Sequence, residues 1–430
     1  MSPWTPILSK SDGMAAAALK SVVTIANELL QQRYLQDRLQ REHYRYEDSL
    51  LYAYLSCTIE DRQWERHCVE QLNAAIECMS NRDISLYGGL CGLGWTVEHI
   101  SRLLVRAGCG STCAIDKEED DLGEDIDLEI IKQLQEKPRS YPFDLISGLV
   151  GFGVYFLERL PSVRAEQGLA LIGEELSSTA EYDEGGISWL TEPHFVPAWQ
   201  RSDFPLGHYD LGVAHGIPGI LYLLSEMVIR GLQREHAWHL LENGMRWLLS
   251  QSRAHSAPSR FPSCTSAVHG SRQARPVWCY GDLGVATVVL QIARSVDRSD
   301  WRSSARVLID HCLDLKPDEY LVKDAGLCHG AAGIAHIFNR LYQMEGDQRY
   351  RTAALSWFQR TLDFCRPGTG FGGYSRFTIE SSSKEAVWEP CPALLDGAIG
   401  IALSLLAGAT PVEPTWDRLL LLSSAPPEAV

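Results

Sequence analysis

Six times the chain sets two glycines three residues apart and then turns apolar. The pairs are Gly89/Gly92 in GGLCGLGWTVEHI, Gly148/Gly151 in SGLVGFGVYFL, Gly216/Gly219 in HGIPGILYLL, Gly281/Gly284 in YGDLGVATVVL, Gly330/Gly333 in HGAAGIAHIF and Gly397/Gly400 in DGAIGIALSLL. First glycines are separated by 59, 68, 65, 49 and 67 residues, and each interval has room for two helices and a loop. A glycine inside a helix costs about 1 kcal/mol relative to alanine. A pair at each helix entry therefore argues for close backbone approach or a tight turn. With 35 glycines some pairs arise by chance, but six that each open an apolar run do not.

The segments between the glycine pairs have a different pattern. VRAEQGLALIGEELSSTAEY and RYRTAALSWFQRTLDFC carry charge on one helical face and Leu, Ala and aromatics on the other, as surface helices do. GILYLLSEMVI and GVATVVLQIA are apolar nearly all round, as helices buried on every side are. Inner helices thus alternate with outer ones, and the expected fold is all-α, an α/α toroid. YEDSLLYAYLSC (Tyr46 to Cys57) reads as a further inner helix without glycines, and GMAAAALKSVVTIANELLQQR before it as an outer one, for about seven of each. The loops YDEGGISWLTEPHFVPAWQRSDFPLGHYD and RPGTGFGGYSRFTIESSSKEAVWEP are rich in Gly, Pro and aromatics and suit short strands. The acidic stretch from Ile115 to Glu129 reads as a solvated loop within one domain spanning residues 1–430.

Apolar residues at 45% support a packed core, and a formal charge of −16 makes a nucleic-acid partner a poor fit. No secretory signal or membrane span is read: no apolar run reaches about 18 residues without a charge. Twelve scattered cysteines without CxxC pairs read as reduced thiols of a cytoplasmic protein.

Alignment on the first glycine collects the chemistry. The residue before it is Gly88, Ser147, His215, Tyr280, His329 and Asp396; the one before that is Tyr87, Ile146, Ala214, Cys279, Cys328 and Leu395. Helix starts of a toroid converge at one mouth, so these residues meet there. Cys279, Cys328 and His329 are zinc-type ligands, and three of them leave a fourth position open, as catalytic sites do. Neighbouring residues on a helix point about 100° apart, so Cys328 and His329 share an ion most easily where the chain still turns into the helix. The same residues also read as two buried thiols and a core histidine. His215 suits a general acid or base, with Asp144 to orient it and Arg275 and Tyr280 to contact an oxyanion; a structural histidine is the plain alternative.

GVAHGIPG, WCYGD and GLCHGAAG, in this order, resemble the lanthionine synthetase C family, the cyclases that build thioether rings in lantibiotic-type peptides. SLYGGLCG, YPFDLISGLVG and TWDRLLLL extend the resemblance over most of the chain. It implies an α/α toroid with Zn2+ on Cys279, Cys328 and His329, and His215, Asp144, Arg275 and Tyr280 in the active site. It implies a precursor peptide whose Ser or Thr residues are already dehydrated. A peptide cysteine adds to dehydroalanine or dehydrobutyrine, and His215 protonates the enolate, whose oxygen Arg275 or Tyr280 stabilises. The length matches stand-alone bacterial members, which implies a separate dehydratase and a peptide transporter as partners, and a cytoplasmic chain brought to the membrane only through such a complex. Two departures stand out: the missing glycines at Tyr46 to Cys57, and Asp282 where a small residue is common.

Rival readings remain at this level. Protein prenyltransferase β-subunits also activate a peptide thiol with zinc on an α/α barrel, but use an Asp ligand. A sugar-cleaving toroid would need a carboxylate pair such as Asp144 and Asp396, and would leave the cysteines unexplained. A toroid of this family that binds zinc and a thiol such as glutathione, without cyclising peptides, would use the same three ligands.

Overall fold

The computed structural model describes residues 4–9, 11, 13–38, 45–59, 61–79, 83–106, 122–253, 258–380 and 385–424. The elements run α1 (Met14–Arg38), α2 (Tyr46–Ser56), α3 (Arg62–Glu77), α4 (Leu90–Arg106), α5 (Leu122–Gln135), α6 (Leu149–Arg159), α7 (Val163–Ser178), β1 (Glu181–Asp183), β2 (Gly186–Ser188), β3 (Tyr209–Asp210), α8 (Ile217–Ile229), α9 (Arg234–Ser250), β4 (Cys264–Ser266), β5 (Gly270–Arg272), α10 (Asp282–Ser295), α11 (Ser299–Asp314), α12 (Ala331–Glu345), α13 (Gln348–Asp363), β6 (Arg376–Ile379), β7 (Ala386–Glu389) and α14 (Ala398–Ala409). All six Gly-x-x-Gly segments open helices, and Tyr46–Ser56 is helical without them.

The chain forms two compact units. One comprises Met1–Asn81, Ile100–Cys113 and Lys316–Trp416; the other comprises Arg82–His99, Ala114–Leu315 and Asp417–Val430. In the first, α2 packs on α3, α12 on α13 and α14, and α14 on α1 and α2, with the β6–β7 hairpin in the same unit. In the second, α6 packs on α7 and α8, α8 on α9 and α10, α10 on α11, and α5 on α7. Two strand groups belong to it, the β1–β2 hairpin and the antiparallel sheet β3-β4-β5.

Burial separates the two helix types as their sequences do. In α8, Leu221, Leu223, Leu224 and Met227 are all 0% exposed, and burying each such side chain is worth about 1.5–3 kcal/mol. In α13 the buried set is Tyr350, Ala354, Trp357, Phe358 and Thr361, one stripe of a half-exposed helix. The acidic stretch departs from expectation: residues from Leu122 onward belong to α5, whereas Ile115 to Asp121 lie outside the described residues. Gly123, Ile126, Asp127, Ile130, Ile131 and Leu134 form its buried face, and Asp127 is matched there by the Tyr155 hydroxyl (2.7 Å) and Arg159 (3.2 Å).

The helix entries explain the glycines. The first N–H groups of a helix have no partner within it. Here they reach back to carbonyls seven residues earlier: Leu149 N to Pro142 O (3.1 Å), Ala331 N to Asp324 O (3.0 Å) and Ala398 N to Cys391 O (2.9 Å). That loop folds so tightly over the helix start that a Cβ on Gly333 would stand 1.9 Å from Leu327 O. Gly281 has φ +81° as well, and a Cβ there would meet Arg275 O at 2.3 Å. Asp282, the unusual residue of WCYGD, is buried at the start of α10. It accepts the Ser259 hydroxyl and the Arg260 and Phe261 N–H groups at 2.7–2.9 Å, so it ties down the preceding loop.

Candidate active site

The loops ahead of the buried helices are laced at one register position, two residues before the first glycine. Tyr87 N donates to Ile146 O (3.2 Å), Leu145 N to Ala214 O (3.0 Å), Val213 N to Cys279 O (2.9 Å) and Cys328 N to Leu395 O (2.8 Å). Backbone bonding, rather than side-chain packing alone, fixes Cys279 against the loop before α8 and Cys328 against the loop before α14. Gly212 permits this near Cys279, since a Cβ there would lie 2.4 Å from Cys279 O.

Cys328 and His329 sit in the turn before α12, where neighbouring side chains are not forced 100° apart. The ligand atoms of Cys279, Cys328 and His329 all lie within 4.8 Å of one another. Tetrahedral zinc with Zn–S near 2.3 Å and Zn–N near 2.0 Å separates its donors by about 3.5–3.8 Å. The donor set, two sulfurs and an imidazole, suits zinc in both chemistry and spacing. Cys279 is 7% exposed; Cys328 and His329 are half-buried. Among the described residues no cysteines form a disulfide.

His215 Nδ1 lies 2.8 Å from Asp144 Oδ2. The Asp144 carboxylate is itself held, since its Oδ1 accepts the Ser147 N–H at 2.8 Å. Partial burial pulls the His215 pKa down, but the hydrogen bond and charge of Asp144, then the charges of Asp210 and Cys279, outweigh it and push the pKa up to about 9. His215 therefore carries a proton at neutral pH. Its ring is 44% exposed, so a substrate can reach it.

Tyr280 is near His215, with ring centroids 6.3 Å apart. Its hydroxyl donates to Asp210 Oδ2 at 3.2 Å, and burial together with Asp210 holds its pKa well above the ordinary value. Tyr280 is thus a neutral donor. Arg275 is half-buried, and its backbone carbonyl underlies Gly281 and accepts the Val277 N–H (2.9 Å). The described contacts bring Asp144 to His215, and the main-chain carbonyl of Arg275 supports the turn that carries Tyr280 and Gly281.

One carboxylate, Asp210, escaped the sequence reading, and another, Asp396, was aligned there without a partner. Asp210 joins Tyr280 to His208, whose Nε2 is 3.6 Å from Asp210 Oδ2. Its trace in the sequence is an Asp six residues before a first glycine, as at Asp83 and Asp324. In all three the side chain accepts the N–H two residues on, at 2.8–3.0 Å. Asp396 lies 3.9 Å from His329.

No helix among the described residues is long and apolar enough to cross a membrane. The family model described as lanthionine synthetase C-like protein matches residues 49–421. The chain is 27% identical over 162 residues to glutathione S-transferase LANCL1 of Danio rerio, covering 37% of this chain and 36% of that protein. It is 23% identical over 213 residues to the nisin biosynthesis protein NisC of Lactococcus lactis subsp. lactis, covering 46% and 50%. The matches thus span half or less of the length of these curated relatives. A solved structure of nisin cyclase superposes with a TM-score of 0.70 at 17% identity, covering 92% of this chain and 96% of that one, and shows the all-α toroid fold. With the family model matched along most of its length, this chain belongs to the lanthionine synthetase C-like family.

Proposed function

We propose that this chain is a zinc-dependent cyclase that adds peptide cysteine thiols to dehydroalanine or dehydrobutyrine, forming lanthionine or methyllanthionine rings. Cys279, Cys328 and His329 would hold the zinc. Bound there, zinc would supply a Lewis acid that lowers the pKa of a substrate thiol while leaving its sulfur nucleophilic. The substrate sulfur forms the new C–S bond at the β-carbon, and the alkene π pair moves to give an enolate. His215 donates its proton to the α-carbon, and Asp144 holds the imidazole in place while it does so. The proton released by the thiol restores the imidazolium, so the reaction conserves mass and oxidation state. Tyr280 supplies a neutral O–H toward enolate oxygen once Asp210 releases it.

The observation that carries this reading is the 2.8 Å His215–Asp144 pair, because simple thiol binding needs no proton donor. On this reading the precursor peptide arrives already dehydrated by a separate dehydratase, in a bacterial cytoplasm, and leaves through a transporter. A second reading is favoured by the similarity to a glutathione S-transferase: the thiol is that of glutathione and the acceptor a separate electrophile.

Incubation of the purified protein with a dehydrated, cysteine-containing peptide separates the two. Loss of alkylatable thiol at constant peptide mass supports the cyclase. An unchanged thiol count, or a glutathione adduct when glutathione is supplied, removes it. We expect one zinc per chain, lost in Cys279→Ala and His329→Ala by metal analysis; full zinc in either variant refutes the ligand set. His215→Ala keeps its zinc and loses ring formation, and wild-type cyclisation in that variant refutes the acid role.

A further inference from the structure

The surroundings of His329 include a carboxylate to which the reaction above gives no task. Asp396 occupies the last position before a first glycine, the register position that holds His215, Tyr280 and His329 in other repeats. Its backbone is clamped to the Cys328–His329 turn. The carbonyl of Leu395 accepts both Leu327 N–H and Cys328 N–H at 2.8 Å, and a Cβ on Gly326 would lie 3.3 Å from Asp396 Cα. The clamp sets the side chain against His329, with Asp396 Oδ1 3.9 Å from His329 Nδ1.

The two carboxylate oxygens differ. Oδ2 faces the Arg376 guanidinium at 3.9 Å, and Arg376 is held across the β6–β7 hairpin by an ion pair with Glu389. Oδ1 is buried and takes no hydrogen bond among the described residues. A buried carboxylate oxygen without a donor is costly, so it marks a place where a donor arrives in the working state. The group facing it is an imidazole nitrogen. Histidines that ligate metals commonly give their other ring N–H to a carboxylate, which fixes tautomer and ring orientation.

We propose that Asp396 is a positioning residue for His329. It accepts the Nδ1–H, so the Nε2 lone pair is presented to the metal and the ring is locked in the ligating orientation. A small turn of the ring closes the remaining gap of about 1 Å to hydrogen-bond length. Arg376 faces the other carboxylate oxygen and keeps Asp396 aimed. This inference rests on the zinc reading of Cys279, Cys328 and His329.

The test is a competitive zinc titration of wild type, Asp396→Ala and Asp396→Asn against a chromophoric chelator, with cobalt substitution as a spectroscopic readout. Wild type binds one zinc. Asp396→Ala binds it about 10–100-fold more weakly and alters the cobalt ligand-field bands. Asp396→Asn, which preserves shape and serves if the alanine variant does not fold, also binds zinc more weakly. Zinc-free Asp396→Ala melts like zinc-free wild type, because the Asp396 side chain is one-third exposed and its loss opens no core. Zinc affinity within about twofold of wild type in both variants overturns the inference and leaves the ligand set intact. Failure of wild type to bind zinc overturns the ligand set itself, and this inference with it.

Discussion

Asp144→Asn isolates the electrostatics of the proposed acid. The substitution keeps the shape of the side chain 2.8 Å from His215 Nδ1 and removes its charge. In the folded protein burial lowers the His215 pKa, while Asp144 supplies the largest opposing effects, so that the value stands at about 9 against an ordinary 6.5. With the charge gone, Asp210 and Cys279 remain against burial, and the value falls back toward 6.5. The ring is 44% exposed, so solvent screening trims the fall, and a drop of about one unit is the minimum expected. At pH 8 a group of pKa 9 is about nine-tenths protonated, one of pKa 8 about half, and one of pKa 6.5 about one-thirtieth. Cyclisation by Asp144→Asn should therefore fall by about twofold to thirtyfold at pH 8 and change little from this cause at pH 6. Stability follows the same sign. A raised histidine pKa contributes to folding below the unfolded value of 6.5, and the contribution fades as pH rises through about 9. That slope should be reduced in the variant and end at a lower pH. The assay is an NMR titration of the His215 ring in both proteins, beside ring-formation rates from about pH 6 to pH 9. An unchanged His215 titration in Asp144→Asn would refute the reasoning.

Other perturbations test the fold around the site. Gly333→Ala forces a Cβ to within 1.9 Å of Leu327 O, and should cost about 3 kcal/mol or more in urea unfolding. Gly346→Ala, at φ +73° with nothing within 4 Å, should cost only about 1 kcal/mol; equal losses would mean that the close approach is not what selects glycine. Glu158 accepts His99 Nδ1 at 3.2 Å and Arg418 Nη1 at 2.7 Å. Burial opposes its charge, but His99 and Arg418 outweigh this and hold its pKa at about 2. Because that pKa is depressed, its contribution is present above pH 4.5 and disappears as pH falls through about 2. Glu158→Ala strands the buried Arg418 guanidinium and should lose about 3–5 kcal/mol at neutral pH, while flattening the acid limb of stability against pH. An unaltered acid limb would show that the trio does not act as described.

Much of this protein was readable because its repeats constrain the main chain, and main-chain constraints leave residue-type signatures. A carbonyl under each helix start admits only glycine at positions such as Gly333, Gly284 and Gly400, so the helix entries are visible in the sequence. Aligning on those glycines puts Cys279 and Cys328 at the same repeat position, which is why they could be paired without any CxxC. What escaped notice depends on side chains that look ordinary in sequence. Asp210 acquires meaning only when Tyr280 faces it, and Asp396, visible at its register position, gains a partner only when His329 faces it. His99, Glu158 and Arg418 lie far apart in the sequence with no shared motif, and they meet in the interior. The buried face of α5 was hidden among carboxylates, and its Ile126, Ile130 and Leu134 spacing was the better guide.

The register positions suggest why one backbone can carry this chemistry. The residue before each first glycine is Gly88, Ser147, His215, Tyr280, His329 or Asp396, and it lies outside the helix that follows; except at Gly88, whose φ of +93° favours glycine, the backbone there does not dictate its type. The glycines and the reach-back hydrogen bonds hold the turn regardless of what that residue is. Stability and chemistry are therefore assigned to different positions of the same short loop. Substitutions at the glycines should unfold the protein before they change its reaction, whereas substitutions at His215, His329 or Asp396 should change metal binding or proton transfer while the fold persists. A His215→Ala protein that loses as much stability as Gly333→Ala would contradict that separation.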